Sequence, residues 1–219
     1  MSAIDKTLTM KPLWSRLLSA FPDAVTAGGC LIVWIAPRAF GNDAVKSVLL
    51  MMMMEFILVH ATGFFTAVAS PDGTRPTRRI AMLAGLSLFY MLFVGVWSYV
   101  FLAWWPVIVF VWLVVGKVGW IYANPRDRSD ETGRQMVAWA FSVAAYLGGV
   151  FGGLFLPLPR LGLDDATVAS LHIAMKGEWM EHPHTAIAGA VIYYTALALY
   201  KAAGGFRLPP QPKPMDAST

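Results

Sequence analysis

A glutamate and a histidine, Glu55 and His60, stand near the middle of an otherwise almost wholly apolar stretch of 23 residues, Val48 to Ser70. A charged side chain at the centre of a bilayer costs about 2.5–3.5 kcal/mol on insertion scales, so ionisable groups kept at that depth are candidates for work on protons or ions. At about 100° per residue, Glu55, Thr62 and Thr66 fall within about 20° of one line and form a polar stripe on the helix. His60 stands about 140° round from Glu55, on the line of Phe56, Gly63, Phe64 and Ala67, so the two cannot converge on one ligand. A buried tyrosine hydroxyl needs a partner, and Tyr193 or Tyr194, inside another apolar segment, reaches Glu55 if the two helices are neighbours. The expected binding residues are therefore Glu55, His60, Thr62, Thr66, Tyr193 and Tyr194. Each has a competing reading as polar glue between helices. That reading is strongest for His60, whose imidazole is neutral at small cost and whose neighbour Gly63 leaves room for a close contact.

A second set lies toward the C-terminal third: His172, Met175, Glu178, Met180, Glu181, His182 and His184. Histidine with glutamate suits zinc or another divalent ion, and methionine sulfur would suit copper. A divalent metal is the candidate cofactor, with His172, Glu178, Glu181, His182 and His184 as candidate ligands. Glu178 and His182 have the spacing of one helix face, but Pro183 opposes helix at His182. The pattern matches no zinc signature, and a solvated, charge-mixed loop end is the favoured reading over a metal or proton-collecting site.

The elements that must position these groups follow from composition. The chain has 219 residues, 57% hydrophobic and 14% charged, whereas a soluble domain carries about 25% charge. The net charge of +4 is spread over segment ends, which excludes a nucleic-acid patch. The single cysteine, Cys30, excludes an intrachain disulfide and a CxxC pair. A diheme cytochrome lacks its histidines, Ser142 in AFSVAAY lacks a rhomboid-like setting, and no nucleotide motif occurs. No cleavable signal pattern is expected at the N-terminus.

Apolar runs of membrane length predict an all-α polytopic transmembrane bundle of about six spans, near 22–37, 45–69, 79–99, 104–122, 134–156 and 185–203. Residues 1–21 form an N-terminal segment in which Leu13, Trp14, Leu17, Leu18 and Phe21 suggest a short interfacial helix. The transmembrane domain covers 22–206, with an outer loop 157–184 where Asp164 or Asp165 caps a short helix. A Pro-rich tail, 207–219, reads as disordered. With both termini inside, thirteen of the 17 Lys and Arg residues fall on the cytoplasmic side and four (Arg38, Lys46, Arg160, Lys176) outside, the bias of a multi-pass bacterial-type inner-membrane protein. Lys117 and Lys201, near their helix ends, are expected to snorkel without a buried partner.

On the fifth span Ala140, Ala144, Gly148 and Gly152 form one small-residue ladder and Ala145, Gly149 and Gly153 another, a spacing that admits close backbone approach. The Gly148/Gly152 face is the expected contact with a second copy or a partner subunit. The Met51–Met54 run reads as adaptable packing, and Trp97, Tyr99, Trp104, Trp105, Trp120 and Tyr122 as interfacial belts. The leading expectation is a small transporter or channel-like protein that moves a small solute or cation past Glu55. The alternatives are an outer-face metalloprotein or metal-dependent enzyme, and an assembly or accessory subunit.

Overall fold

The computed structural model describes residues 12–69, 75–122, 128–171 and 177–205. It is an all-α bundle with helices α1 (Leu13–Ile35), α2 (Ala44–Ala69), α3 (Pro76–Val100), α4 (Trp105–Tyr122), α5 (Arg128–Phe155), α6 (Asp165–Ser170), α7 (Glu178–Glu181) and α8 (Pro183–Ala202). Five are long and apolar enough to cross a membrane: α1, α2, α3, α8 and the Gly133–Phe155 part of α5. The apolar part of α4, Trp105–Gly119, is shorter. The chain is thus an integral membrane helical bundle.

The first span differs from expectation. Residues 12–21 are not a separate interfacial helix; they are the opening turns of α1, which runs through Pro22 without a break. Pro22 lacks the N–H that would bond Leu18, but a full break would strip several backbone groups of partners where no water can replace them. The apolar side chains of this stretch, Leu13, Trp14, Leu17, Leu18 and Phe21, are exposed, as a lipid-facing surface requires. The helix stops before Pro37, which pushes Ala36 out of helical geometry to φ −133°, ψ 83°.

Between α3 and α4 the chain turns on Leu102, whose φ of 52° is left-handed. The Ala103 N–H donates to Ser98 O at 2.9 Å and the Leu102 N–H to Tyr99 O at 3.2 Å. That is a Schellman closure with leucine where glycine is usual.

Helix α2 is the hub, and it buries side chains all round. Leu50, Met54, Ile57, Ala61 and Phe65 pack with Leu83, Tyr90 and Val94 of α3 and Phe110 of α4. Val45, Leu49, Met52 and Val59 join a second core with α1, α5, α8 and Leu163 of the outer loop. Two aromatic donors of α5 tie it to this hub: Trp139 Nε1 donates to Val59 O at 2.9 Å and Tyr146 Oη to Met52 O at 3.0 Å. Donors seven residues apart meet carbonyls seven residues apart in the opposite order, which fixes the antiparallel register. Gly63 makes room for the indole, since a Cβ there would lie 2.4 Å from Trp139 Cε2.

Helices α5 and α8 meet backbone to backbone at glycines. A Cβ on Gly149 would stand 2.6 Å from Gly189 O, and one on Gly189 would stand 2.9 Å from Gly149 O. Of the two expected ladders, only the one through Gly149 and Gly153 makes this contact. Gly148 has nothing within 4 Å of its missing side chain, whereas a Cβ on Gly152 would meet Ile192 Cδ1 of α8 at 3.3 Å, so the face expected to meet a partner is open at Gly148 and covered at Gly152. The outer loop is pinned to the end of α1, where Trp34 Nε1 donates to Pro159 O at 3.1 Å and the Gly162 N–H to Trp34 O at 3.1 Å. Asp164 caps α6 by accepting the Thr167 N–H at 2.7 Å.

Candidate functional site

Glu55 sits near the midpoint of α2, and Tyr193 and Tyr194 near the midpoint of α8. The two tyrosines are adjacent in sequence and diverge by about 100° round the helix, yet both reach one carboxyl group because each takes a different oxygen. Tyr193 Oη lies 3.2 Å from Oε2 and Tyr194 Oη lies 2.8 Å from Oε1. Both rings are buried, whereas Glu55 is half-buried. Tyr146 of α5 packs edge-on against Tyr193 with ring centroids 5.6 Å apart, so the α5 side chain that fixes the α2 register also backs the hydroxyl that faces Glu55.

A second charged contact joins α1 to α8. Lys201 Nζ lies 2.6 Å from Asp23 Oδ2, and Asp23 is buried while Lys201 keeps about two-fifths of its side chain exposed, 41%. Three helices thus carry one ionisable group each in this part of the bundle: Asp23 on α1, Glu55 on α2 and Lys201 on α8.

The expected binding residues divide. Glu55, Tyr193 and Tyr194 meet. Thr66 lies eleven residues from Glu55, about 16 Å along the helix, where its hydroxyl donates to Thr62 O at 2.7 Å and accepts from Lys117 Nζ at 2.8 Å. Lys117 also donates to Gln135 Oε1 at 3.4 Å. The Glu55–Thr62–Thr66 stripe thus splits into separate contacts with α8 and α4. His60 turns back on its own helix, with Nδ1 2.7 Å from Phe56 O and its ring 4.2 Å from that of Phe56. Lys117 and Lys201 do not merely snorkel; each has a polar partner inside the bundle.

At the other end, Glu178 and Glu181 are exposed, and the rings of His182 and His184 are 6.0 Å apart. Helix α7 ends at Glu181 and α8 starts at Pro183, so His182 is the break between them. Among the described residues no three of His, Cys, Asp and Glu come together as a metal site. His172 and Met175 lie outside the described residues. An open cleft of about 420 Å³ nearby is lined by Arg38, Asn42, Asp43, Lys46, Ser170 and Leu171. Arg38 Nη2 donates to Ser170 Oγ across it at 2.8 Å.

Asp23 and Lys201 are the residues that sequence reasoning missed. A first span beginning at residue 22 leaves Asp23 at a membrane surface, where a carboxylate is unremarked. The signal was present in the helical spacing of residues 13–21, which continues into the apolar run and places Asp23 eleven residues into one helix. No family model, curated protein or solved structure matches this chain.

Proposed function

We propose that the protein carries a proton or a small cation across the membrane, alone or coupled to a small solute, with Glu55 as the group that binds it. The cation bias supports an orientation in which the start of α1 and the ends of α2 and α8 face the cytoplasm of a bacterial-type inner membrane. The observation that carries the reading is the mid-helix Glu55 carboxyl, held by two tyrosine hydroxyls of α8. A purely structural contact between α2 and α8 is met more cheaply by a neutral pair, because a charged group in hydrocarbon costs several kcal/mol that a serine or amide avoids. Hydroxyl donors suit exchange. They hold the ionised carboxylate by two hydrogen bonds and can turn to accept from the protonated acid.

Flux in proteoliposomes tests this, with Glu55→Gln and Glu55→Ala compared in the same preparation. Gln keeps the shape and the acceptor oxygen for a tyrosine but cannot bind a proton or balance a cation. Proton- or cation-linked flux is expected to vanish in Glu55→Gln while thermal stability stays near that of the wild type. Glu55→Ala should in addition destabilise by about 1–3 kcal/mol, because two buried hydroxyls lose their acceptor. Wild-type flux from Glu55→Gln would reduce Glu55 to a helix contact.

A further inference from the structure

Asp23 and Lys201 have geometry that a permanent strut between α1 and α8 does not require. Buried carboxylates that serve only structure accept several hydrogen bonds, because an underserved charge is costly in a low dielectric. Asp23 Oδ2 meets the Lys201 ammonium at 2.6 Å and no hydrogen-bond donor besides it among the described residues. The lysine approaches from the end of α8, with 41% of its side chain exposed, so the ammonium can withdraw toward water without disturbing helix packing. Beyond the pair, the groups that face this region are Glu55 of α2, Tyr193 and Tyr194 of α8, Cys30 of α1 beside Tyr194, and Arg16 of α1, whose guanidinium packs on Gly204 just past the end of α8.

We infer that Asp23 is a second cation-binding carboxylate, that the Lys201 ammonium is a tethered occupant of it, and that the species carried is a monovalent cation able to take the ammonium's place. The occupant that the ion replaces carries a single positive charge, which favours a monovalent ion over a divalent one. When the ion arrives at Asp23, Lys201 is displaced toward the surface. When the ion leaves, Lys201 returns and the buried carboxylate is never left alone. Its place on a path rests on the transport reading, but occupancy of Asp23 is measurable without flux.

The test uses the full chain in detergent, with thermal unfolding followed in sodium, potassium, lithium or magnesium chloride at constant ionic strength balanced by N-methylglucamine. Wild type, Lys201→Arg, Lys201→Gln and the double variant Asp23→Asn/Lys201→Gln are compared. Lys201→Gln opens the carboxylate, so a monovalent cation at one hundred times its dissociation constant should raise its melting temperature by roughly 5–10 °C. The other three proteins should move little. A Lys201→Gln that responds no more than wild type, an equal response in the double variant, or a response to magnesium alone overturns the proposal. If Lys201→Gln purifies only in high monovalent salt while the double variant purifies without it, that supports the proposal; failure at every salt while the double variant folds overturns it. Where no Lys201 variant purifies, cation selectivity of flux through Asp23→Asn decides, and unchanged selectivity overturns it. A salt response with no flux in wild type would leave this site standing and remove the transport reading instead.

Discussion

Gly149→Ala is the smallest change that should disturb both the packing and the candidate site. The new methyl would stand 2.6 Å from Gly189 O, and ordinary contact begins at 3.4 Å, so α5 and α8 must part locally by about 0.8 Å. Neither atom is the end of a flexible side chain, so the helices themselves must move. Overpacking of this kind costs about 1–3 kcal/mol, against which replacing glycine inside a helix returns up to about 1 kcal/mol. The expected net loss is about 1–2 kcal/mol, or roughly 2–8 °C in melting temperature for a chain of this size. Gly148→Ala is the control. Its methyl meets nothing within 4 Å, so it should be neutral or stabilising. The displacement also reaches the chemistry, because Tyr193 Cβ is itself 3.4 Å from that position and the Tyr193 bond to Glu55 is already 3.2 Å long. Paired thermal unfolding of the two variants in one detergent reads the difference. If Gly149→Ala melts with or above Gly148→Ala, the helices are not in backbone contact there and the register of α8 against α5 is wrong.

The same geometry makes further predictions. Trp139→Phe keeps the ring but loses the donor to Val59 O, which should cost about 1 kcal/mol. Gly63→Ala clashes with the indole and should be rescued in part by Trp139→Leu, a positive coupling in a double-mutant cycle read by chemical denaturation. Leu102→Gly relieves a left-handed leucine, so it should stabilise by about 1 kcal/mol; a loss on the same scale would mean that this side chain anchors the turn in lipid. Asp164 lies below the usual carboxylate range because the Thr167 hydroxyl and backbone N–H both hydrogen-bond it. Its pKa is lower folded than unfolded, so the cap is fully present above the unfolded value of about 3.9 and is lost as pH falls through the folded one. The protection factor of the Thr167 amide, taken against its intrinsic exchange rate at each pH, should therefore hold at neutral pH and fall only in acid, whereas Asp164→Ala should lack that protection throughout.

Much of the fold was legible because the bilayer allows few solutions. Apolar length marked the spans, and Pro37, Pro106 and Pro183 marked three of the boundaries, since proline restricts its neighbour and opens helices well. A bond from Tyr193 or Tyr194 to Glu55 was expected from a plain requirement, that a buried hydroxyl needs a partner, and both tyrosines make one. The choice between the two α5 ladders was not legible. Both have small residues at the same spacing, and the deciding information sits on α8, where Thr185 and Gly189 repeat at four residues and present backbone to Gly153 and Gly149. Ladders have to be read in pairs.

Proline misled once, and that error hid half of the site. Pro22 followed by Asp23 looks like the start of a helix, and in water it often is, because freed carbonyls there find solvent. In hydrocarbon a break has no such relief, so the helix continues through a proline that costs it one hydrogen bond. Moving the start of α1 from residue 22 to Leu13 carries Asp23 from the surface to mid-helix. It also gives Lys201, in the last turn of α8, a buried carboxylate as its partner. Helix α8 supplies both the lysine that meets Asp23 and the two hydroxyls that meet Glu55. Any motion of α8 relative to α1 and α2 must therefore alter both contacts together.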